Sequence, residues 1–133
     1  MTDIRKVGVI GAGVMGAGIA AHMANAGLPV VLLDVVPDGA NARNALSDAA
    51  VARLLKTNPA PLMHKRNARR IVTGNIEDDL NQLGECDWII EAIIENLDAK
   101  RALYAQIETE RKTDSIVSSN TSTIPLEKLT EGL

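Results

Sequence analysis

The segment Gly11-Ala12-Gly13-Val14-Met15-Gly16 constrains the fold of this chain more than any other. It directly follows the apolar run Val7–Ile10 and directly opens a helical pattern over residues 14–26. Glycines at this spacing between a strand and a helix mark a turn that carries a dinucleotide. Gly11 permits the tight exit from the strand. A side chain at Gly13 would keep a pyrophosphate away from the backbone. Gly16 lets helix and strand pack closely. The first helical N–H groups, near Val14 and Met15, then point at phosphate oxygens with the helix dipole in their favour.

Further strands follow. Besides Val7–Ile10, continuous apolar runs with a high β-branched share lie at 30–33, 88–90 and 116–117, with a weaker candidate at 71–72. Such runs read as strands buried on both faces of a parallel sheet. Helical patterns lie between them. Residues 14–26 end at Asn25-Ala26-Gly27 with Pro29 beyond, a helix stop. Residues 40–56 are rich in Ala and Leu, and residues 98–111 place Ala99, Leu103 and Ile107 on one face, with Asn96 available as a cap. The least regular stretch is 56–70, with Pro59, Pro61 and a basic cluster from Lys65 to Arg70. The alternation predicts an α/β chain, a Rossmann-type doubly wound, mainly parallel sheet with helices on both faces. Residues 1–133 read as one domain with one core.

Asp34 ends the second strand at roughly the 20-residue distance expected of a carboxylate that accepts from a ribose 2′-hydroxyl. It favours NAD over NADP, since a 2′-phosphate would meet its negative charge, and Val35, Val36 and Pro37 follow it rather than an arginine. In a parallel sheet all carboxyl ends share one edge, so Gly11, Asp34, residues 92–95 and residues 118–122 should meet there. The polar run Ser118-Ser119-Asn120-Thr121-Ser122-Thr123 reads equally as a ligand-facing segment or as a hydroxyl-rich turn capping a helix that begins near Pro125.

Composition removes other classes. The net charge of −3 offers no electrostatic footprint for nucleic acid, and only Trp88 and Tyr104 are aromatic, too few for base-stacking platforms. No apolar stretch is long enough to span a bilayer, and nothing suggests a membrane partner. The single cysteine, Cys86, excludes an internal disulfide and suits a reducing, cytoplasmic setting. There is no metal-ligand cluster.

Three segments carry a family resemblance. The run from Lys6 to Ala20, the run Ile90-Glu-Ala-Ile-Ile-Glu-Asn-Leu-Asp-Ala-Lys100, and Ser118-Ser-Asn-Thr-Ser-Thr-Ile124 occur in the order and spacing of 3-hydroxyacyl-CoA dehydrogenases, and the chain resembles the N-terminal part of that family. The resemblance implies NAD as cofactor and oxidation of a (3S)-3-hydroxyacyl-CoA to the 3-oxoacyl-CoA in fatty-acid β-oxidation. It implies that Glu95 and Lys100 contact the ribose and nicotinamide side of NAD. Ser122 would hydrogen-bond the substrate's 3-oxygen, with Asn120 beside the same site. Lys56, with Arg53 as a rival, would match a lysine that contacts coenzyme A; read alone, Lys56 is a solvated helix-end cation and Lys100 an exposed helix charge.

The family's catalytic histidine, in a His-Phe-Phe-Asn-Pro-like segment, its partner glutamate, and the helical domain that completes the substrate site and the oligomer have no counterpart in residues 1–133. His22 and His64 match neither motif. The expectation is NAD binding without turnover. Three rivals stand beside it at this level: the NAD-binding domain of another hydroxy-acid dehydrogenase, a non-catalytic dinucleotide-sensing module, and a flavin-binding domain, which shares the glycine motif but finds no support in the rest of the chain.

Overall fold

A computed structural model describes residues 4–37, 42–57, 61–93 and 97–119. Five strands form one sheet in the order β3-β2-β1-β4-β5, where β1 is Val7–Ile10, β2 Val30–Asp34, β3 Ile71–Asn75, β4 Trp88–Glu91 and β5 Ile116–Ser119. Every neighbouring pair is parallel. Among the described residues, three α-helices connect them: α1 (Val14–Asn25), α2 (Ala45–Lys56) and α3 (Leu97–Glu110). The chain builds outward from β1 to β2 and β3, then returns to β1's other side with β4 and β5. That reversal makes the gap between β1 and β4 the topological switch point, where a crevice opens beyond the carboxyl ends.

The two faces of the sheet carry separate cores. On one, the small side chains of α1 (Ala17, Ala20, Ala21, Ala24) and Leu54 of α2 cover Val7, Val9, Val30 and Leu32. On the other, Leu103, Tyr104 and Ile107 of α3, with Leu80, Leu83 and Cys86, cover Ile10, Val31, Leu33 and Ile89. Burial pushes the Cys86 thiol up to about 11, so it packs as a small apolar group. The alternate residues of each strand point to opposite faces, which is why the central strands contain no polar interruption before their last residue.

Three expectations are corrected. The two outer strands are not buried on both faces: Val72 is 51% exposed and Ile116 49%, because each belongs to a strand at one end of the strand order. The second helix starts at Ala45 rather than at residue 40. Before it, Arg43 is drawn into ion pairs with Glu77 and Asp78, and Asn44 Oδ1 accepts from Asn75 Nδ2 at 2.7 Å, so these side chains tie the turn to the end of β3. The irregular basic stretch contains a 3-10 turn over Lys65–Arg70, capped by His64 Nδ1, which accepts from Arg66 N. The proposed Asn96 cap and the helix near Pro125 lie outside the described residues.

At the amino edge of the sheet, Asp87 closes the fold. Its carboxylate accepts from the Lys112 ammonium and from the backbone N–H groups of Arg5 and Lys6, the latter two at 2.7 and 3.1 Å. The Lys112 bond foremost, and then the backbone bonds, hold the Asp87 carboxyl below its ordinary value. A depressed folded-state pKa contributes stability above the unfolded value, and that contribution is lost as pH falls through the folded one. Asp87→Asn is therefore expected to lower the melting temperature at pH 7, with the gap to wild type narrowing below about pH 4. Melting curves from pH 7 down to pH 3 check this; a constant gap would contradict it.

Candidate functional site: the carboxyl edge of the sheet

Register brings the strand ends level. Ile10 stands opposite Leu33 on one side and Glu91 on the other, and Glu91 stands opposite Ser119. The chain leaves β1 through Gly11, at φ +113°, a conformation that favours glycine. Neighbours hold this exit: Gly11 N donates to Leu33 O, and Ala92 N donates to Ile10 O, each at 2.7 Å. The three glycines then differ sharply. A Cβ on Gly11 would lie 2.6 Å from Ala92 O, and one on Gly16 only 1.6 Å from Gly11 O. A Cβ on Gly13 would meet no heavy atom within 4 Å. Gly11 and Gly16 are thus required by the protein's own packing, whereas nothing in the protein's packing requires a glycine at position 13.

Gly13 is the N-cap of α1, and no side chain caps that end. The first intrahelical bond there runs from Ala17 N to Gly13 O at 2.9 Å, so the preceding N–H groups are oriented along the helix axis toward the loop. Val14 and Met15 are highly exposed, at 87% and 60%. Oriented donors without a side-chain cap, beside backbone that a Cβ would cover, form the cradle a pyrophosphate needs.

Asp34 anchors the other half. Its Oδ2 accepts from Ala12 N and its Oδ1 from Val35 N, both at 2.6 Å. A carboxylate offers about four lone-pair sites, so these bonds fix its orientation and leave acceptor capacity for a vicinal diol. A pocket of about 330 Å³ lies here, lined by Gly11, Gly13, Asp34, Val35, Leu46, Ala92 and Ile93. Its apolar walls and single carboxylate suit an adenosine with its ribose. From α2, Arg53 Nη2 donates to Ala12 O at 3.2 Å, bracing the glycine turn from behind. The site's residues therefore fit a dinucleotide on geometry alone.

The remaining expected residues divide. Glu95, Asn120 and Ser122 lie outside the described residues. Lys56 is exposed at the end of α2. Lys100 is fully buried, not the exposed helix charge its sequence position suggests; its ammonium lies 3.1 Å from Glu91 Oε2. Glu91 is itself fully buried, and the sequence reading did not single it out. Its Oε1 accepts from Tyr104 OH at 3.1 Å and Ser119 Oγ at 2.8 Å, and its Oε2 accepts from Ile93 N at 2.7 Å. Burial pushes the Tyr104 phenol up to about 12, so it remains a donor. A signal existed: an acid directly after three apolar strand residues, at the edge where ligands bind. Among the described residues, no group of His, Cys, Asp and Glu could hold a metal, and no helix is long and apolar enough to cross a membrane.

A parallel sheet with this strand order, a glycine turn into a helix N-terminus and an acid at the end of β2 define a Rossmann-type dinucleotide-binding domain. The sequence of residues 6–133 matches the family model for the NAD-binding domain of 3-hydroxyacyl-CoA dehydrogenase, and the chain belongs to that family. NAD is accordingly its cofactor. It is 53% identical to a probable 3-hydroxyacyl-CoA dehydrogenase of Deinococcus radiodurans, over 97% of this chain and 37% of that protein. It is 44% identical to a putative fatty acid oxidation complex trifunctional enzyme of Rickettsia felis, over 98% of this chain and 18% of that protein. Among solved structures, 3-hydroxybutyryl-CoA dehydrogenase from Escherichia coli superimposes with a TM-score of 0.80 at 26% identity, over 99% of this chain and 28% of that one. The chain thus spans well under half the length of these relatives.

Proposed function

We propose that residues 1–133 are the NAD-binding part of a (3S)-3-hydroxyacyl-CoA dehydrogenase acting in fatty-acid β-oxidation, in a cytoplasmic setting that keeps Cys86 reduced. The observation that carries the reading is the pairing of the Gly13 cradle with the oriented Asp34 carboxylate, on a chain whose relatives bear that enzyme name. Bound NAD supplies the hydride acceptor. The chain's own residues bind and orient it: Gly11, Gly13 and Gly16 shape the turn, the N–H groups near Val14 and Met15 face the pyrophosphate, and Asp34 receives the ribose. Glu95 serves the nicotinamide side, with Lys100 buried on Glu91 rather than in contact with NAD, and Asn120 and Ser122 position the 3-oxygen of the acyl-CoA. Lys56 reaches toward coenzyme A. A general base must still take the hydroxyl proton. Neither histidine meets that need: His22 lies within α1 and His64 caps the 3-10 turn. Residues 1–133 therefore bind NAD without turnover, and the acyl-CoA site and oligomer are completed by a further helical domain.

The experiment is a chimera in which the remaining C-terminal length of the Deinococcus radiodurans relative follows Leu133. The chimera is expected to reduce acetoacetyl-CoA with NADH, and residues 1–133 alone to give no turnover. A folded, NADH-binding chimera inactive on 3-oxoacyl-CoA substrates would contradict the substrate class.

Coenzyme choice follows from Asp34. In Asp34→Ser the acceptor for the ribose and the negative charge both disappear. A hydrogen bond to a charged group contributes about 1.5–3 kcal/mol, so NADH affinity should fall about 10- to 100-fold. NADPH affinity should fall less, narrowing the preference. Fluorescence titrations with both coenzymes read this out, and an unchanged ratio would contradict the role given to Asp34.

A further inference from the structure

We propose that Glu91 is a positioning residue of the dinucleotide site, holding the pocket wall after β4 and the end of β5 in place. This rests on the reading of the pocket as the NAD site. A fully buried ion pair gives little stability over an apolar pair of similar size, so packing alone does not call for Glu91 and Lys100. The two preceding residues of β4, Ile89 and Ile90, fill the sheet interior without charge. The acid enters only at the last position, opposite Ile10 and one residue before the pocket wall.

What Glu91 does there follows from its bonds. Through Oε2 it accepts from Ile93 N, fixing the backbone of Ala92 and Ile93. Those two residues line the pocket with Gly11, Gly13 and Asp34, and Ala92 O would stand 2.6 Å from a Cβ on Gly11. Through Oε1 it accepts from Ser119 at the end of β5 and from Tyr104 of α3, while Lys100 of α3 supplies the countercharge. One carboxylate thus joins the pocket wall, the following helix and the outer strand. An apolar residue of equal volume could fill the space but could not accept from Ile93 N. A glutamine offers only one acceptor oxygen and no charge for Lys100. Loosening Glu91 should therefore weaken NADH binding although Glu91 lines no part of the pocket.

Trp88, the only tryptophan, reports on the same strand pair, because its Nε1 donates to Ser118 Oγ at 3.0 Å across β4 and β5. The experiment compares Glu91→Gln, Tyr104→Phe and Ile107→Val, the last a core change on α3 whose side chain makes none of the carboxylate's bonds, each at a temperature where circular dichroism finds it folded. Glu91→Gln should shift Trp88 emission before NADH is added and weaken NADH binding about tenfold; Tyr104→Phe, which removes one donor and keeps the ring, should weaken it by a smaller factor. Ile107→Val should match wild type in both readouts. Should Glu91→Gln fail to fold, Tyr104→Phe carries the test. Variants that match wild type in emission and affinity would overturn the proposal. Failure of wild type itself to bind NADH would contradict the NAD reading instead, and the Trp88 emission would then decide alone: shifted in the variants supports the positioning role, unchanged overturns it.

Discussion

Gly13→Val is expected to abolish NADH binding while leaving the fold in place. The added Cβ meets nothing of the protein within 4 Å, and the backbone at Gly13 is extended, at φ −71° and ψ −170°, which valine adopts readily. The cost to folding is that of a poor N-cap, about 1 kcal/mol. The cost to binding is much larger. Two branched methyls would occupy the approach to the N–H groups at the start of α1, so the pyrophosphate would lose its close contact with the backbone. A loss of at least about 3 kcal/mol is expected, more than a hundredfold in affinity. Circular dichroism and a NADH titration on the same preparation separate the two effects. Wild-type affinity in this variant would mean that the phosphates do not pass over Gly13.

Gly16→Ala should do the opposite kind of damage. The new methyl would lie 1.6 Å from Gly11 O and 2.8 Å from Gly11 C, both backbone atoms of the turn. No rotamer relieves that overlap, because a Cβ has none, so α1 must move away from β1 or the turn must open. Either movement disrupts the apolar contacts of Ala17 and Ala20, both buried against the sheet. Overpacking of this severity belongs at the upper end of the usual range, about 3 kcal/mol or more. For a chain of this size the midpoint should fall by roughly 10 °C or more. Thermal unfolding followed at 222 nm measures it, and a midpoint within a degree of wild type would contradict the steric account. The two glycines share one motif, yet the protein's packing demands only Gly16, and the loss expected at Gly13 is one of binding.

The sequence carried the elements whose physics is local. Continuous β-branched runs at residues 30–33 and 88–90 announce interior strands because both their faces are covered. Asp34 was legible for a related reason: its distance from the glycines is fixed by one helix and one strand. Sheet order is not encoded in a single run, so nothing in the run at 71–72 or at 116–117 reveals that Val72 and Ile116 sit, half exposed, in the strands at the two ends of the described order. The late start of the second helix, at Ala45, depends on Arg43 and Asn44 finding partners more than thirty residues away. Glu91 was hidden for the same reason. Its partners Lys100, Tyr104 and Ser119 stand 9, 13 and 28 residues along the chain, and only the fold draws them onto one carboxylate. The burial of Lys100, which the resemblance makes a contact of NAD and which read alone is an exposed helix charge, was hidden because periodicity reports a helix face and not what covers it. Local pattern thus reached the glycine turn and the acid that ends β2, while the buried network behind the pocket wall required the tertiary structure.

The carboxyl edge around Gly13 and Asp34 is expected to bind NAD in preference to NADP. Calorimetric titration of the chain with NADH, and with NADPH under the same conditions, tests it most directly. Saturable one-to-one binding of NADH, much tighter than that of NADPH, is the expected result. Equal affinity for the two coenzymes would contradict the role of Asp34, and absence of NADH binding by a chain that circular dichroism finds folded would contradict the site itself.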